Sequence, residues 1–275
     1  MTGDMTGDMT SEVVVDASGP VGVVRLNRPD RANSVTPAVV TALGDAVREL
    51  GETDGVRAAV LTGTGSVFCA GADVQDMYAV YRADGADGLM DYLGQTWMPA
   101  VQRTVRLLWA TPIPLVAAIN GAATAGGLDF GLTCDARVAA TSARFAESYV
   151  NLGMAPVAGG MYLLPRTIGP SAATELLLSG RPVDAARAHE LGLVDEVCDP
   201  ADVLARAVER AERLTRGPAA TVAAIKRVVR LAAGPELDAA LRASLETNIA
   251  LIARDDVRAR ILAVMEKYSL SAKVS

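Results

Sequence analysis

Apolar positions along this chain recur in two rhythms. Val13–Asp16 and Val21–Asn27 have strand length and pattern, with Ser18-Gly19-Pro20 between them as a turn, so the chain is expected to open on a β-hairpin. Thr36 followed by Pro37 joins an N-cap residue to a proline suited to the first helical position. Val39, Val40, Leu43, Val47 and Leu50 then fall at helical spacing, and Gly51 is a fitting stop. Ala58–Thr62 reads as a buried strand. The stretch from Ala72 to Ala110 is less regular: its polar, glycine-dotted middle (Arg82–Gly88) suggests a mobile loop, and Leu89–Trp109 reads as helix. Pro114–Ile119 is a second buried strand, Ala136–Ala140 and Ala143–Ala146 are short strands, and Gly160–Ile168 and Ser171–Ser179 are helical. From Ala201 onward the period is helical only, broken near Gly217-Pro218 and Gly234-Pro235. The pattern describes a mixed α/β body that repeats strand, strand, helix, followed by a helical tail from about residue 200.

Composition narrows this picture. The chain has 275 residues, enough for one large domain or a domain with an appendage. Hydrophobic residues make up 51% but aromatics only 4%, so the core must be built from Ala, Val and Leu. The net charge of −6 and the absence of a basic stripe interleaved with aromatics argue against nucleic acid as a partner. Apolar runs are broken by charge or glycine well short of the roughly 18 residues of a membrane span. The opening MTGDMTGDMT repeats TGD, has no apolar h-region of a secretory signal, and is expected to be disordered. Cys69, Cys134 and Cys198 are widely spaced, which suits a reducing cytoplasm and argues against a disulfide framework or zinc site.

His189 is the only histidine, so any Ser–His or Cys–His triad must use it. It lies in DAARAHELGLVDEV, a short helix ending at Gly192 and running into a strand, with no nucleophile beside it, and reads as structural. GTGSVF (Gly63–Phe68) begins like a dinucleotide fingerprint, but Phe68 stands where the third glycine belongs. P-loop, H-E-x-x-H and G-x-S-x-G motifs are missing from the sequence. Catalysis in this chain is therefore expected to be driven by carboxylates or by the backbone.

The segment INGAATAGGLDFGLTCD (Ile119–Asp135) carries the strongest chemical signal. A Gly/Ala turn enters an apolar helix and sets Asp129 three residues after Gly126, on the same helix face. A helix N-terminus offers unpaired N–H groups and a positive dipole end. An oxyanion donor and a carboxylate would then face one spot, the minimum equipment for chemistry on a carbonyl compound. The alternative is that Asp129 only compensates the helix dipole.

Six segments, in order and spacing, resemble the crotonase, or enoyl-CoA hydratase/isomerase, superfamily. They are LNRPDRANS (Leu26–Ser34), VRAAVLTGTGSVFCAGADVQDM (Val56–Met77), PLVAAINGAATAGGLDFGLTCDARVA (Pro114–Ala139), FAESYVNLGMAP (Phe145–Pro156), LLPRTIG (Leu163–Gly169) and ELLLSGRPVDAARAHELGLVDEV (Glu175–Val197). The resemblance implies an α/β fold, a spiral of ββα units over residues 11–200, with a C-terminal helical region over 201–275 that mediates trimerisation. It implies an acyl-CoA thioester as substrate, coenzyme A entering as part of that substrate with no permanently bound cofactor or metal, and a homotrimer or a hexamer of two trimers.

The resemblance also implies site residues. The backbone N–H groups of Ala72 and Gly126 would hold the thioester oxygen as it gains enolate charge, each such donor being worth roughly 3–4 kcal/mol. Arg28, Arg31 and Ala32 fall in the segment that approaches the CoA adenine and phosphates, where local positive charge would offset the acidic whole. Ala70, Gly71 and Asp73 would form the site wall, with turn stabilisation an equal role for Asp73. The region from Asp76 to Pro99 is expected to line the acyl pocket.

Two departures bear on the chemistry. The first of the family's two glutamate positions holds Asp129, shorter by one methylene, about 1.5 Å; such a shift can cost on the order of a hundredfold unless something moves to compensate. The second holds Tyr149, a poor base at neutral pH that could donate a hydrogen bond or fill an apolar pocket. Glu147 is the substitute second carboxylate. If Phe145–Tyr149 is extended, Glu147 and Tyr149 point to one side about 6.6 Å apart; alternatively Glu147 pairs with an arginine at the site edge. Val157-Ala158-Gly159-Gly160 supplies no carboxylate. The expected function is enoyl-CoA hydratase or isomerase chemistry, with Asp129 as acid/base and Tyr149 or Glu147 assisting. The alternatives are another crotonase reaction (double-bond shift, thioester hydrolysis, decarboxylation or C–C cleavage) and a non-catalytic acyl-CoA-binding relative.

Overall fold

A computed structural model describes residues 11–232 and 236–271. The TGD repeat and the Gly234-Pro235 break lie outside these described residues. The opening hairpin forms as expected from β1 (Val13–Asp16) and β2 (Val21–Leu26), paired antiparallel. Thr36 caps α1 (Pro37–Glu52), its side chain accepting from the Val39 amide at 3.3 Å. Contrary to expectation Gly51 does not end this helix, which stops at Thr53. Gly51 is small for a different reason: a Cβ there would stand 3.0 Å from Thr111 Oγ1 and 3.2 Å from Pro112 Cδ.

Two sheets are then wound together. β3 (Ala58–Gly63), β5 (Leu115–Ile119) and β7 (Ala136–Ala140) extend the first sheet in parallel beside β2, and β10 (Glu196–Cys198) closes it in the order β1-β2-β3-β5-β7-β10. β4 (Val67–Cys69), β6 (Ala122–Thr124), β8 (Arg144–Ala146) and β9 (Val183–Asp184) form the second sheet in that order. Each turn of the chain places one strand in the first sheet and the next in the second: β3 and β4, β5 and β6, β7 and β8. Helices follow each pair, which makes the fold the crotonase-type ββα spiral expected. β3 and β5 are buried at every residue, as parallel strands covered on both faces must be. The three-residue strands β4 and β6 are too short for a period to mark them, and the alternation of the sequence does not reveal them.

The segment read as a mobile loop is helical. α2 (Val74–Tyr92) runs through Arg82–Gly88 with a kink at Gly85, whose φ of 72° departs from the helix. A π-helical turn at Leu93–Trp97 leads directly into α3 (Met98–Ala110). α4 (Gly126–Thr133) leaves β6 with all eight residues buried. α5 (Gly160–Ile168) and α6 (Pro170–Ser179) agree with the sequence pattern. His189 lies on α7 (Ala185–Glu190), its Nδ1 3.1 Å from the Val194 carbonyl oxygen, a structural role. The helical tail consists of α8 (Val203–Leu214), α9 (Ala219–Ala232), α10 (Glu236–Ile252) and α11 (Asp255–Ser271). α8 packs on β3, β5 and β7, while α11 packs on α2. α9 is held by buried charge: Lys226 and Arg230 bind Asp135 at 2.6 and 2.7 Å, and Arg230 stacks on Trp109.

Close backbone approach positions α4. A Cβ on Gly127 would sit 2.1 Å from the Cys69 carbonyl oxygen, whereas one on Gly131, a turn later, would meet only Ile119 Cδ1 at 3.6 Å. Gly127→Ala is expected to destabilise the protein by at least about 1–3 kcal/mol through overpacking against backbone. Gly131→Ala is expected to be neutral or stabilising by up to about 1 kcal/mol, the helix-propensity difference. Urea unfolding midpoints of the two variants check both signs.

Candidate active site

The site is built where β4 and β6 hand over to their helices. Residues 69–72 run between the Ala32–Val35 segment and β6. Ala32 and Asn33 both adopt left-handed backbone (φ 50° and 51°), which turns the chain so that the Ala32 carbonyl accepts from the Ala70 amide at 3.1 Å. Val35 and Ala72 form a parallel bridge: the Val35 amide donates to the Gly71 oxygen (2.8 Å) and the Asp73 amide to the Val35 oxygen (3.1 Å). In such a bridge the bonds come from the neighbours of Ala72, so its own N–H is turned away from Val35.

On the other side stands α4. Its N-cap, Ala125, has φ 48° and ψ −123°, a conformation costing on the order of 1–3 kcal/mol for a residue with a side chain. The Ala125 amide is tied to the Ala146 oxygen at 2.8 Å, so β8 helps hold this turn. Gly126 is the first helical residue, and its amide has no intrahelical acceptor. Its nitrogen would lie 3.3 Å from a Cβ on Gly71. The two main-chain segments carrying the Ala72 and Gly126 amides are thus in near contact.

Asp73 and Arg28 brace this turn. Asp73 caps α2, its Oδ1 accepting from the Gln75 and Asp76 amides at 3.0 and 3.2 Å, and its Oδ2 lies 2.9 Å from Arg28 Nη2. Arg28 also binds Glu12 at 2.7 Å and donates to the Ser34 oxygen at 2.6 Å. Its charge is therefore met within the protein by Asp73 and Glu12. Arg31 lies on the adjacent 3-10 turn, Pro29–Arg31, and is exposed.

Behind the turn three titratable side chains meet. Asp129 on α4 and Glu147 after β8 are both fully buried, and Tyr149 is 3% exposed. The Tyr149 hydroxyl donates to Asp129 Oδ2 at 2.9 Å. It also lies 3.4 Å from the place a Cβ of Gly126 would take. Phe145–Tyr149 is not extended: β8 ends at Ala146, Glu147 has φ −89° and ψ 70°, and Ser148–Leu152 forms a 3-10 turn. This turn sends Glu147 inward to Asp129 rather than to an arginine at the rim. Both carboxyls converge on Gly160, where a Cβ would stand 2.3 Å from Asp129 Oδ1 and 2.8 Å from Glu147 Oε1. Those oxygens, with Glu147 Oε2, have no full hydrogen-bond partner.

Burial raises the Asp129 carboxyl to about 7, against the pull of the Tyr149 hydroxyl, Glu147 and the Ala158 and Gly160 amides, which favour its charge. Glu147 is raised well above its ordinary range by burial and then by repulsion from Asp129. The physical outcome is that two adjacent buried carboxyls keep at least one proton, held on Glu147. Burial, and then the Asp129 charge, likewise keep Tyr149 a neutral phenol. Sequence reasoning did not single out Gly160; its signal was the Gly159-Gly160 pair opening α5.

A cavity of about 240 Å³ opens in front of these groups, lined in part by Ala70, Ala72, Ala125, Tyr149, Trp97 and Met154. Met77 and Trp97, from the Asp76–Pro99 stretch, line it together with Val74. Asp129 and Glu147 are absent from its lining. Relative to this cavity the carboxylate thus lies behind Tyr149. Among the described residues no cluster of His, Cys, Asp and Glu could hold a metal, and no helix is long and apolar enough to cross a membrane.

A two-sheet ββα spiral, two adjacent main-chain turns and a buried acid behind a small cavity frame the candidate site. The sequence profile described as enoyl-CoA hydratase/isomerase matches residues 16–272, and the chain belongs to that family. It is 28% identical over 261 residues to a short-chain-enoyl-CoA hydratase of Clostridium acetobutylicum, covering 94% of this chain and 97% of that one. The crystal structure of an enoyl-CoA hydratase/isomerase from Mycobacterium paratuberculosis superposes with a TM-score of 0.81 at 30% identity, covering 93% and 99% of the two chains. That of a monofunctional enoyl CoA isomerase from M. smegmatis gives 0.68 at 33% identity, covering 82% and 94%.

The Asp129 shift has a consequence for stability. A carboxyl whose folded pKa is raised from 3.8 to about 7 contributes stability at low pH that is lost as pH climbs through 7. Asp129→Asn carries no such charge. The stability of the variant relative to wild type is expected to rise by on the order of a few kcal/mol between pH 4 and pH 8. Urea titrations of both proteins across that range check the sign; a flat or falling difference contradicts it.

Proposed function

We propose that this enzyme moves a double bond within an enoyl-CoA thioester by shifting one proton between carbons. The backbone amides of Ala72 and Gly126 hold the thioester oxygen while it carries enolate charge, and donors fixed in place do so without reorganisation. Ala70 and Ala72 line the oxyanion end of the cavity, with Gly71 between them in the chain, and the region around Arg31 and Ala32 receives the CoA portion. Asp129 is the group that stores the moving proton. The observation that carries this reading is the single hydrogen-bonded acid chain, Tyr149 to Asp129, set directly against the Gly126 turn.

Water addition needs one group to orient water and another to protonate the α-carbon, each facing the substrate. Here Tyr149 holds the second position, and both carboxyls are buried together behind it, so proton relocation is the better-supported reaction. The three cysteines are free, with Cys69 and Cys134 buried, in keeping with a reducing cytoplasm. α9 leaves Ile225, Val228 and Val229 60%, 58% and 64% exposed, an apolar face that supports assembly into a homotrimer or hexamer.

Incubation with a 3-enoyl-CoA is expected to give the 2-enoyl isomer faster than crotonyl-CoA is hydrated, both followed spectrophotometrically. Asp129→Asn should lower isomerisation by roughly 10²–10⁴-fold, with thioester affinity retained. Faster hydration than isomerisation would replace this reading with a hydratase. Light scattering of the purified protein is expected to give the mass of a trimer or hexamer; a monomeric mass would refute the assembly.

A further inference from the structure

Three observations place Tyr149 between the substrate space and the stored proton. Its side chain lines the cavity that Ala72 and Ala125 also line, whereas Asp129 and Glu147 do not. Its hydroxyl reaches Asp129 Oδ2 at 2.9 Å and sits against the Gly126 backbone. Behind it Asp129 and Glu147 are fully buried and converge on Gly160. Of the three titratable groups, Tyr149 is the one that lines the cavity, and Asp129 lies buried behind it.

We propose that Tyr149 is the residue exchanging a proton with the substrate carbon, relaying it to and from Asp129, with Glu147 a positioning residue beside them. This inference rests on the thioester reading above and adds the identity and order of the proton carriers. In the forward step the C2–H bond of a 3-enoyl-CoA breaks and its proton goes to Tyr149 Oη. The proton already on Oη passes to Asp129 Oδ2 in the same step. The C–H electron pair spreads over C2–C4 and the thioester oxygen, where the Ala72 and Gly126 amides meet the charge. The reverse relay delivers the Asp129 proton through Tyr149 to C4, and the double bond ends between C2 and C3. No oxidant or co-reactant is consumed, and the enzyme returns to its starting protonation.

This arrangement also accounts for the two departures from the family pattern together. The shortened acid at 129 leaves a gap, and the tyrosine at 149 fills it with a hydroxyl that can carry a proton. Glu147, kept neutral, removes the like charge that would otherwise hold Asp129 protonated at working pH.

The test uses the whole protein and a 3-enoyl-CoA in H2O and in D2O, with thioester affinity measured by calorimetry. The phenolic proton exchanges with solvent, so the relay predicts slower wild-type isomerisation in D2O; direct transfer from carbon to Asp129 predicts equal rates. Tyr149→Phe should lose roughly 10²–10⁴-fold in turnover with affinity unchanged, and its residual reaction should show no solvent isotope effect. Glu147→Leu should shift the acidic limb of the pH–rate profile upward, and Glu147→Gln should restore it by keeping a donor beside Asp129. Equal wild-type rates in the two solvents, or Tyr149→Phe active within a few-fold, overturns the relay and leaves the thioester reading standing. Wild type that binds the thioester but does not turn it over also overturns the relay. Failure to bind any acyl-CoA overturns the thioester reading first and the relay with it.

Discussion

The burial of the Asp129 carboxyl is the constraint around which the rest of the site is arranged. A lone carboxylate in a dry interior is costly, and the fold meets that cost with a phenol on one oxygen and a protonated glutamate and helix-terminal amides near the other. Those amides belong to the residues opening α5, which can come so close only because position 160 has no side chain. The same packing that desolvates Asp129 brings its pKa to about 7, where a group gives and takes protons with equal ease.

Backbone contact does for the Ala72 and Gly126 turns what side-chain contact does for the acid. β4 and β6 lie side by side, Gly127 lets α4 sit on the Cys69 carbonyl, and Ala125 accepts a strained turn to bring Gly126 round. Arg28, bound to Asp73 and Glu12, locks the neighbouring loop against this turn from the other side. Small residues and one internal ion-pair network thus hold these two main-chain segments close together.

Much of this was legible in the chain. The hairpin β1–β2, the capped start of α1 and the buried strands β3 and β5 all followed from local pattern, since a capping threonine or an apolar run acts over a few residues. Asp129 and Gly126 on one helix face also followed, because helix geometry alone sets that spacing. The miscast residues were those whose role is set by a distant partner. Gly51 reads as a helix stop until Thr111 and Pro112 are seen against it, and the ion pairs of Arg28 with Asp73 and Glu12 join segments that local pattern does not connect. Arg82–Gly88 reads as loop because its polarity is local, whereas α11 packs along that helix and supports it.

The placement of Asp129, Glu147 and Tyr149 shows where the boundary falls. Residue types and short-range geometry placed an acid near a helix start and a tyrosine in a second, separate segment. They left open whether Glu147 faces an arginine or another acid, and whether Asp129 faces a ligand or lies behind a neighbour. Only the packed structure answers both, through a 3-10 turn after β8 that no period announces and a glycine on α5 that admits two carboxyls. The reason is physical: the chain's own rhythm dictates what a residue does to its neighbours in sequence. Burial, and with it the charge a group carries, depends on surfaces brought together from segments far apart along the chain.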